Sequence, residues 1–397
     1  MSRQTLDYFG TVSALFLYVD ESDPQGTERF LEAWAETKAL LAEIEKAVSL
    51  SAPESDLSRF NALPAGQSMP ISAHTASILQ TAKDAYANTA GLFDPTVYPL
   101  VDLWGFSPRF NVNNYRPTQP YDRQYMDGKL PMPEDAYIQA LLPLVDFSGI
   151  ALTEDGTNGY VLTKNTPSVT IDGKVFHAQL DLGGIAKGYA ADRVAALMRE
   201  KGYAYGHFVC GGSSMVFLEN LSERASARDP RAYATGIRRP REGQGEGTSF
   251  LTMELKNTSL SSSGDYSHNR IYNNILYCHT IDPRTGYPVN TPVDSVQQGI
   301  AAVTVTGPLA DYCDAISTAL FLMGPQEAIR YANQSLTDYN LVMVLYRVGS
   351  ERYEVVTNLR DTYAITDSAY QLASSINDAG EIIYHGSLFP LEEVPFP

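Results

Sequence analysis

The stretch Asp181-Leu182-Gly183-Gly184-Ile185-Ala186-Lys187-Gly188-Tyr189-Ala190-Ala191-Asp192 has an apolar spacing that predicts a turn followed by a helix. Two glycines at a helix start remove Cβ atoms where a ligand approaches the backbone, and the N–H groups there bind anions. Lys187 adds a positive charge one turn into the helix. The Asp181 carboxylate, just before the turn, can accept hydrogen bonds from ribose hydroxyls. An ordinary strand-to-helix turn, with glycine for tight packing, is the alternative interpretation.

Apolar periodicity on both sides of this stretch predicts strands interrupted by single long helices. Because strands and helices do not alternate strictly, the pattern favours an α+β fold over a doubly wound sheet. Helices are predicted at Phe30–Val48, at Ala73–Ala90, from residue 185 to Gly202, and from near Pro308 onward. Strands are predicted at Thr11–Val19, Phe208–Cys210, Met215–Leu218, Phe250–Leu255, Ile271–Tyr277, Ile300–Thr306, Leu341–Arg347 and Tyr353–Thr357, with hairpins across Gly149–Val175.

One segment departs from this periodicity. Residues 107–146 are rich in Pro, Asn, Tyr and Asp, and a stretch of that length without periodicity is typical of an inserted or functional loop. The chain of 397 residues is long enough for two or three domains, although one large unit of this length is ordinary. We predict a single domain over residues 1–397 that contains the insertion at 107–146.

Composition excludes several classes of protein. With 44% hydrophobic and 19% charged residues, the chain has the composition of a folded globular protein. Its formal net charge of −17 repels polyphosphate backbones and anionic lipid surfaces. Nucleic acid is therefore not an expected partner, and an anionic substrate would need a local metal ion, helix N-terminus or lysine.

Features that would indicate a membrane or an export route are weak. The longest apolar runs, Ala14–Val19 and Leu341–Tyr346, are far shorter than the roughly 20 residues of a membrane span. The N-terminus lacks the pattern of a signal peptide, and three scattered cysteines do not make a disulfide framework. The sequence as written predicts a cytoplasmic protein. An exported, membrane-anchored protein whose leader has been removed is the alternative.

A histidine precedes a tight-turn motif in His279-Thr280-Ile281-Asp282-Pro283-Arg284-Thr285-Gly286. In Asp-Pro-x-Thr-Gly the proline fixes φ, the glycine takes a positive φ and the Asp side chain bonds backbone N–H groups. An imidazole with an ordinary pKa near 6.5 can accept a proton from a hydroxyl near neutral pH. His279 is therefore a candidate catalytic base, and a structural histidine is the alternative.

A carboxylate and a hydroxyl share a helical face late in the chain. Asp314 and Thr318 stand at positions i and i+4, within reach of one ion. Oxygen ligands suit Mg²⁺ or a similar hard cation that keeps open positions for phosphate oxygens and water. The structural alternative is a carboxylate that complements the helix dipole and a threonine that bonds back to a carbonyl.

Taken together, these motifs resemble the ApbE family of flavin transferases, which move FMN from FAD onto a Thr or Ser of an acceptor protein. The resemblance spans nearly the whole chain and its motifs occur in the family's order. The matching blocks are Phe9–Thr11, Ser55–Asn61, Gly91–Val97, Leu103–Phe106, Asp181–Asp192, Ser262–Tyr266, His279–Gly286 and Asp314–Thr318.

The resemblance implies a mixed architecture rich in antiparallel sheets, with FAD in a crevice between subdomains. It implies that Mg²⁺ on the FAD pyrophosphate is held by the Gly184 carbonyl and the side chains of Asp314 and Thr318, and that His279 is the catalytic candidate. The expected partner is an acceptor flavoprotein subunit or domain that carries a Thr or Ser flavinylation motif. The FAD contacts implied are Phe9, Leu92, Phe93, Asp94, Asp181 and Lys187.

Two alternatives to transfer stay open. If water replaces the acceptor hydroxyl, the protein is an FAD pyrophosphatase that produces FMN and AMP. If turnover has been lost, it is an FAD-binding or storage protein. Release of AMP from FAD with Mg²⁺ alone distinguishes hydrolysis from storage.

Overall fold

The structure is a computed structural model that describes residues 1–110, 115–125, 130–156, 159–221, 229–240, 249–266, 268–272, 275–292, 298–347 and 352–386. The chain divides into two compact units. The first unit comprises Met1–Leu41, Lys187–Ser267 and Thr291–Pro397, and the second comprises Ala42–Ala186 and His268–Asn290. The single domain over 1–397 and the insertion at 107–146 stay predictions.

All four long helices expected from the periodicity are confirmed, and shorter ones join them. Helices of six or seven residues are too short to show a clear apolar period, and the sequence does not predict them. It also does not predict the eleven-residue helix Pro325–Ser335. In the described part of the chain the helices are α1 (Gly26–Val48), α2 (Asp56–Ala62), α3 (Ala73–Asn88), α4 (Tyr98–Leu103), α5 (Asp135–Leu141), α6 (Ala186–Glu200), α7 (Ala310–Met323) and α8 (Pro325–Ser335).

The strands are mostly short and antiparallel, so the α+β class rich in antiparallel sheet is confirmed. They are β1 (Ser2–Tyr8), β2 (Thr11–Leu17), β3 (Ser68–Ile71), β4 (Ile150–Glu154), β5 (Tyr160–Lys164), β6 (Val169–Ile171), β7 (Lys174–Phe176), β8 (Gly206–Cys210), β9 (Ser214–Phe217), β10 (Tyr233–Arg238), β11 (Ser249–Leu255), β12 (Thr258–Gly264), β13 (Asn269–Tyr272), β14 (Ile275–Ile281), β15 (Pro288–Pro292), β16 (Gln298–Gly307), β17 (Asn340–Arg347), β18 (Tyr353–Thr357), β19 (Tyr363–Ile365), β20 (Tyr370–Leu372), β21 (Ser374–Ile376) and β22 (Ile382–Tyr384). The predicted single strand Ile271–Tyr277 is wrong, because β13 and β14 pair there as two antiparallel strands.

The first unit is built on a nine-stranded sheet in the order β1-β2-β8-β9-β12-β16-β17-β18-β20. Its neighbours pair antiparallel, except for the parallel pair β18–β20. Helix α7 packs against β12 and β16 and buries nearly all of its side chains. The mostly apolar composition of α7 suits this position, because twelve of its fourteen residues are buried.

The second unit has smaller sheets in the orders β3-β5-β4, β6-β7 and β13-β14-β15. Its core gathers aromatic and aliphatic side chains around α4 and α5, including Trp104, whose Nε1 donates to the Gly286 carbonyl oxygen at 2.8 Å. This bond ties the Asp282–Gly286 turn to the core. Across the described residues of both units, no helix combines the length and apolarity needed to cross a membrane.

Candidate functional site

The glycine turn before α6 is held from two sides within the second unit. The Asp181 carboxylate accepts from the Gly183 N–H at 2.8 Å, and the Asp181 N–H donates to the Pro95 carbonyl oxygen at 2.7 Å. The preceding residue, Leu180, exchanges two hydrogen bonds with the Asn61 side chain, at 2.7 and 2.9 Å. The structure therefore brings the 181–184 turn together with the blocks around Pro95 and Asn61.

Asp94, predicted to contact FAD, is buried and holds its own loop. Its carboxylate accepts from the N–H and hydroxyl of Thr96 and from the Phe147 N–H. Burial raises the pKa of Asp94 to about 6, and the hydrogen bonds from Thr96 and Phe147 oppose that rise. Leu92 and Phe93 are buried beside it. The FAD contacts of these three residues stay predictions, and the structure gives them a clear part in the fold.

Phe9 lies at the tip of the β1–β2 hairpin, half-buried. Phe9 and Gly10 both have positive φ, at 55° and 60°, which is typical of a two-residue type I′ turn. A phenylalanine in this backbone conformation is uncommon and strained. The turn therefore fixes the backbone position from which the Phe9 side chain extends. The contact of Phe9 with FAD stays a prediction.

Helices α6 and α7 bring the predicted ligand Asp314 against the start of α6. Asp314 is 3% exposed, and its Oδ2 accepts from the Gly188 N–H at 3.1 Å. Burial raises the pKa of Asp314, while the Lys187 charge and hydrogen bonds from Gly188 and Ser214 lower it. Lys187 therefore acts electrostatically on the predicted metal ligand Asp314, and the sequence contains no sign of this pairing.

A relay of hydroxyls reaches Asp314 from the sheet. Ser214 and Ser261 face each other across β9 and β12, and Ser261 donates to Ser214 at 3.0 Å. Ser214 in turn hydrogen-bonds to Asp314. The sequence gives no signal for this relay, since β9 and β12 meet only in the folded sheet. These hydrogen bonds hold the Asp314 carboxylate in one rotamer and reduce the cost of burying it.

Thr318 lies one turn after Asp314 and is half-buried. Its hydroxyl donates to the Asp314 carbonyl oxygen at 3.2 Å and lies 3.2 Å from the Ser263 hydroxyl. The back-bonding expected of a structural threonine is therefore present. A hydroxyl oxygen that donates still has lone pairs for a cation, so this bond is compatible with ligation.

The residues available for a metal ion supply oxygen only. Among the described residues, no cluster of three or more His, Cys, Asp or Glu side chains could hold a metal. A carboxylate, a hydroxyl and a backbone carbonyl suit a hard cation such as Mg²⁺, and a cation would offset the cost of burying the Asp314 charge. Asp314 and Thr318 belong to the first unit and Gly184 to the second. The donor chemistry fits Mg²⁺, and the three-residue ligand set stays a prediction.

His279 lies on β14, exposed, with its ring 5.6 Å from that of His268. The Cys278 Sγ is 3.5 Å from its Nδ1. The turn that follows has the expected form, with Gly286 at φ 80° and Asp282 accepting from the Arg284 N–H at 2.8 Å. The turn is structural, and the exposed imidazole is accessible to a substrate hydroxyl. Sequence spacing gave no sign of His268 as its neighbour.

These features define an α+β protein in which a glycine-opened helix meets a buried carboxylate supported by hydroxyls. The chain belongs to the ApbE family, whose sequence profile matches residues 9–343. It is 28% identical over 323 residues to the FAD:protein FMN transferase of Haemophilus influenzae, covering 80% of each chain. It is 28% identical over 301 residues to the protein of that name from Vibrio cholerae, covering 75% of this chain and 76% of the relative.

The fold agrees with a solved structure of the family. The flavin transferase ApbE from Vibrio cholerae superposes with a TM-score of 0.65 at 23% sequence identity, covering 88% of this chain and 98% of that one. This likeness confirms the expected α+β architecture rich in antiparallel sheets.

Proposed function

We propose that this protein transfers FMN from FAD to a Thr or Ser hydroxyl of an acceptor protein and releases AMP. The observation that carries the proposal is the buried Asp314 carboxylate, held by Gly188 and Ser214 beside Lys187, within a chain that matches the ApbE family over residues 9–343. Homologues covering most of the chain are named FAD:protein FMN transferases.

The proposed reaction is a substitution at phosphorus. The acceptor hydroxyl oxygen forms a bond to the FMN phosphorus, the bond from that phosphorus to the bridging pyrophosphate oxygen breaks, and AMP leaves with the bridging oxygen. The hydroxyl proton passes to the imidazole of His279. Lys187 offsets negative charge that develops on the phosphates.

Asp314, Thr318 and the Gly184 carbonyl would hold Mg²⁺. When bound, the ion neutralises pyrophosphate charge and orients the two phosphates. Asp314 supplies the only side-chain charge of this ligand set, so we expect Asp314→Ala to lose Mg²⁺-dependent turnover, whereas activity that still follows a Mg²⁺ titration as in the wild type would contradict the assignment.

The direct test incubates the purified chain with FAD, Mg²⁺ and a candidate acceptor domain. Transfer yields a fluorescent acceptor band that survives denaturing electrophoresis and is absent when the acceptor Thr is changed to Val. AMP released without labelled acceptor would support the pyrophosphatase, and bound FAD without AMP would support storage. Either result would overturn the proposal if several acceptor domains gave it.

The role of His279 in proton transfer is tested by substitution, with a substitution of the neighbouring His268 as the control. A general base contributes about 10² to 10⁴ in rate, so we expect His279→Gln to lower turnover by that factor without a large change in melting temperature. His268→Asn is the matched control, because it removes the adjacent imidazole and Asn tolerates the φ of 49° at that position. A preserved rate in His279→Gln would exclude the catalytic role.

A further inference from the structure

Helices α6 and α7 cross at backbone contact within the first unit. A Cβ atom at Gly188 would lie 2.2 Å from the Ala310 carbonyl oxygen and 2.6 Å from the Asp311 Cα. Both distances are far below an ordinary van der Waals contact, so only glycine permits this approach. The close crossing allows the Gly188 N–H to reach the Asp314 carboxylate.

A second contact between these helices lies one turn further along α6. The residue before α7, Leu309, makes no side-chain capping hydrogen bond. Asp192, a residue of α6, caps α7 instead. Its carboxylate Oδ2 accepts from the Asp311 N–H at 3.0 Å, and the Ala310 N–H also bonds to the carboxylate. Asp192 therefore satisfies amides at the start of α7 that would otherwise be left without an intrahelical acceptor.

The environment of Asp192 is costly for a carboxylate. Burial and the charge of Asp311 raise the pKa of Asp192 to about 7, while the amides of Ala310 and Asp311 lower it. A surface carboxylate could cap a helix without these penalties. Keeping an acid in this position is therefore unfavourable for stability unless the geometry that it enforces is needed.

The two contacts fix both the position and the rotation of α7. Gly188 and Asp192 are four residues apart on α6, and Asp311 and Asp314 are three residues apart on α7, so each pair lies on one helical face. Two contacts separated by a turn prevent α7 from rotating about its axis. The direction in which Asp314 presents its carboxylate follows from that constraint.

We propose that Asp192 is a positioning residue for the metal site. By capping α7 from the neighbouring helix, it orients Asp314 and Thr318 toward the ion without touching ion or substrate. This inference rests on the proposed function. Residues that orient metal ligands typically change metal affinity by about 10- to 100-fold when they are removed.

The test measures metal binding by the full-length protein in the presence of FAD, with Mn²⁺ as the probe and loss of the free Mn²⁺ electron paramagnetic resonance signal as the readout. We expect Asp192→Ala to weaken Mn²⁺ binding by about tenfold or more. Asp192→Asn should stay within about threefold of the wild type, because its amide oxygen accepts from the same N–H groups. If the alanine variant does not fold, Asp192→Glu, which displaces the carboxylate by one methylene, should show the same loss.

Val355→Ala separates positioning from general destabilisation. Val355 is fully buried in β18, in a core cluster that contains no residue of α6 or α7, so its truncation should lower the melting temperature and leave Mn²⁺ affinity unchanged. Wild-type Mn²⁺ affinity in folded Asp192→Ala, or equal weakening in Val355→Ala, would overturn the positioning role. A wild-type protein that binds no Mn²⁺ would instead contradict the proposed metal site itself.

Discussion

Substituting Gly188 by alanine tests the close crossing of α6 and α7, because the crossing and helix propensity predict opposite changes in the free energy of unfolding. In an isolated helix, Ala is favoured over Gly by about 1 kcal/mol, so helix propensity alone predicts a more stable protein. The structure predicts the reverse, because the added Cβ would stand 2.2 Å from the Ala310 carbonyl oxygen. Relieving that overlap requires the helices to separate by about 1 Å.

The expected cost follows from two losses. Overpacking of this kind costs about 1 to 3 kcal/mol, of which the propensity gain of alanine offsets about 1 kcal/mol. The hydrogen bond from the Gly188 N–H to the Asp314 carboxylate, now 3.1 Å long, would be broken by such a separation. A bond to a charged group contributes about 1.5 to 3 kcal/mol. We therefore expect the free energy of unfolding to fall by about 1.5 to 5 kcal/mol.

Denaturant unfolding of the full chain provides the assay, together with the Mn²⁺ titration. Ala196→Gly, at an exposed position of the same helix, calibrates propensity and should cost about 1 kcal/mol with unchanged Mn²⁺ affinity. A Gly188→Ala protein as stable as the wild type or more so, with unchanged Mn²⁺ affinity, would refute the close crossing and its link to Asp314.

Two further predictions concern stability in each unit. Burial lowers the pKa of His207 to about 4, so as the pH falls the unfolded chain binds a proton at this residue before the folded protein does. The free energy of unfolding should therefore fall by up to about 3 kcal/mol between pH 6.5 and pH 4. His207→Phe, which can still stack on Phe16, should remove this pH dependence when thermal unfolding is measured at a series of pH values. Identical pH profiles would contradict this. In the second unit, Asn61→Ala leaves the N–H and carbonyl of Leu180 without their side-chain partner and should lower the free energy of unfolding by about 2 to 4 kcal/mol. A melting temperature within about 1 to 2 degrees of the wild type, the size of effect expected of a surface substitution, would contradict a stabilising role for the two Asn61–Leu180 hydrogen bonds.

Local signals explain what the sequence could predict. The apolar periods located the long helices, and the i, i+4 spacing placed Asp314 and Thr318 on one face of α7. The Asp282–Gly286 turn formed as its residue types require. The single strand predicted from Ile271 to Tyr277 is wrong, and the signal that could have divided it is the Asn273-Asn274 pair, because asparagine favours turns.

Partnerships across long separations could not be predicted. The capping of α7 by Asp192 joins residues 119 positions apart. The relay from Ser261 through Ser214 to Asp314 depends on the order of strands in the nine-stranded sheet. The residue type determines which hydrogen bonds a side chain can make, while the order of strands and the crossing of helices determine which side chains lie close enough to make them.

Transfer of FMN to protein is tested most directly by the stoichiometry of its two products. With FAD, Mg²⁺ and an acceptor domain, released AMP and covalently flavinylated acceptor should appear in equal amounts, and AMP formation should be negligible when the acceptor lacks its Thr. AMP formed at the same rate with or without an acceptor, together with no flavin bound covalently to the acceptor, would contradict transfer.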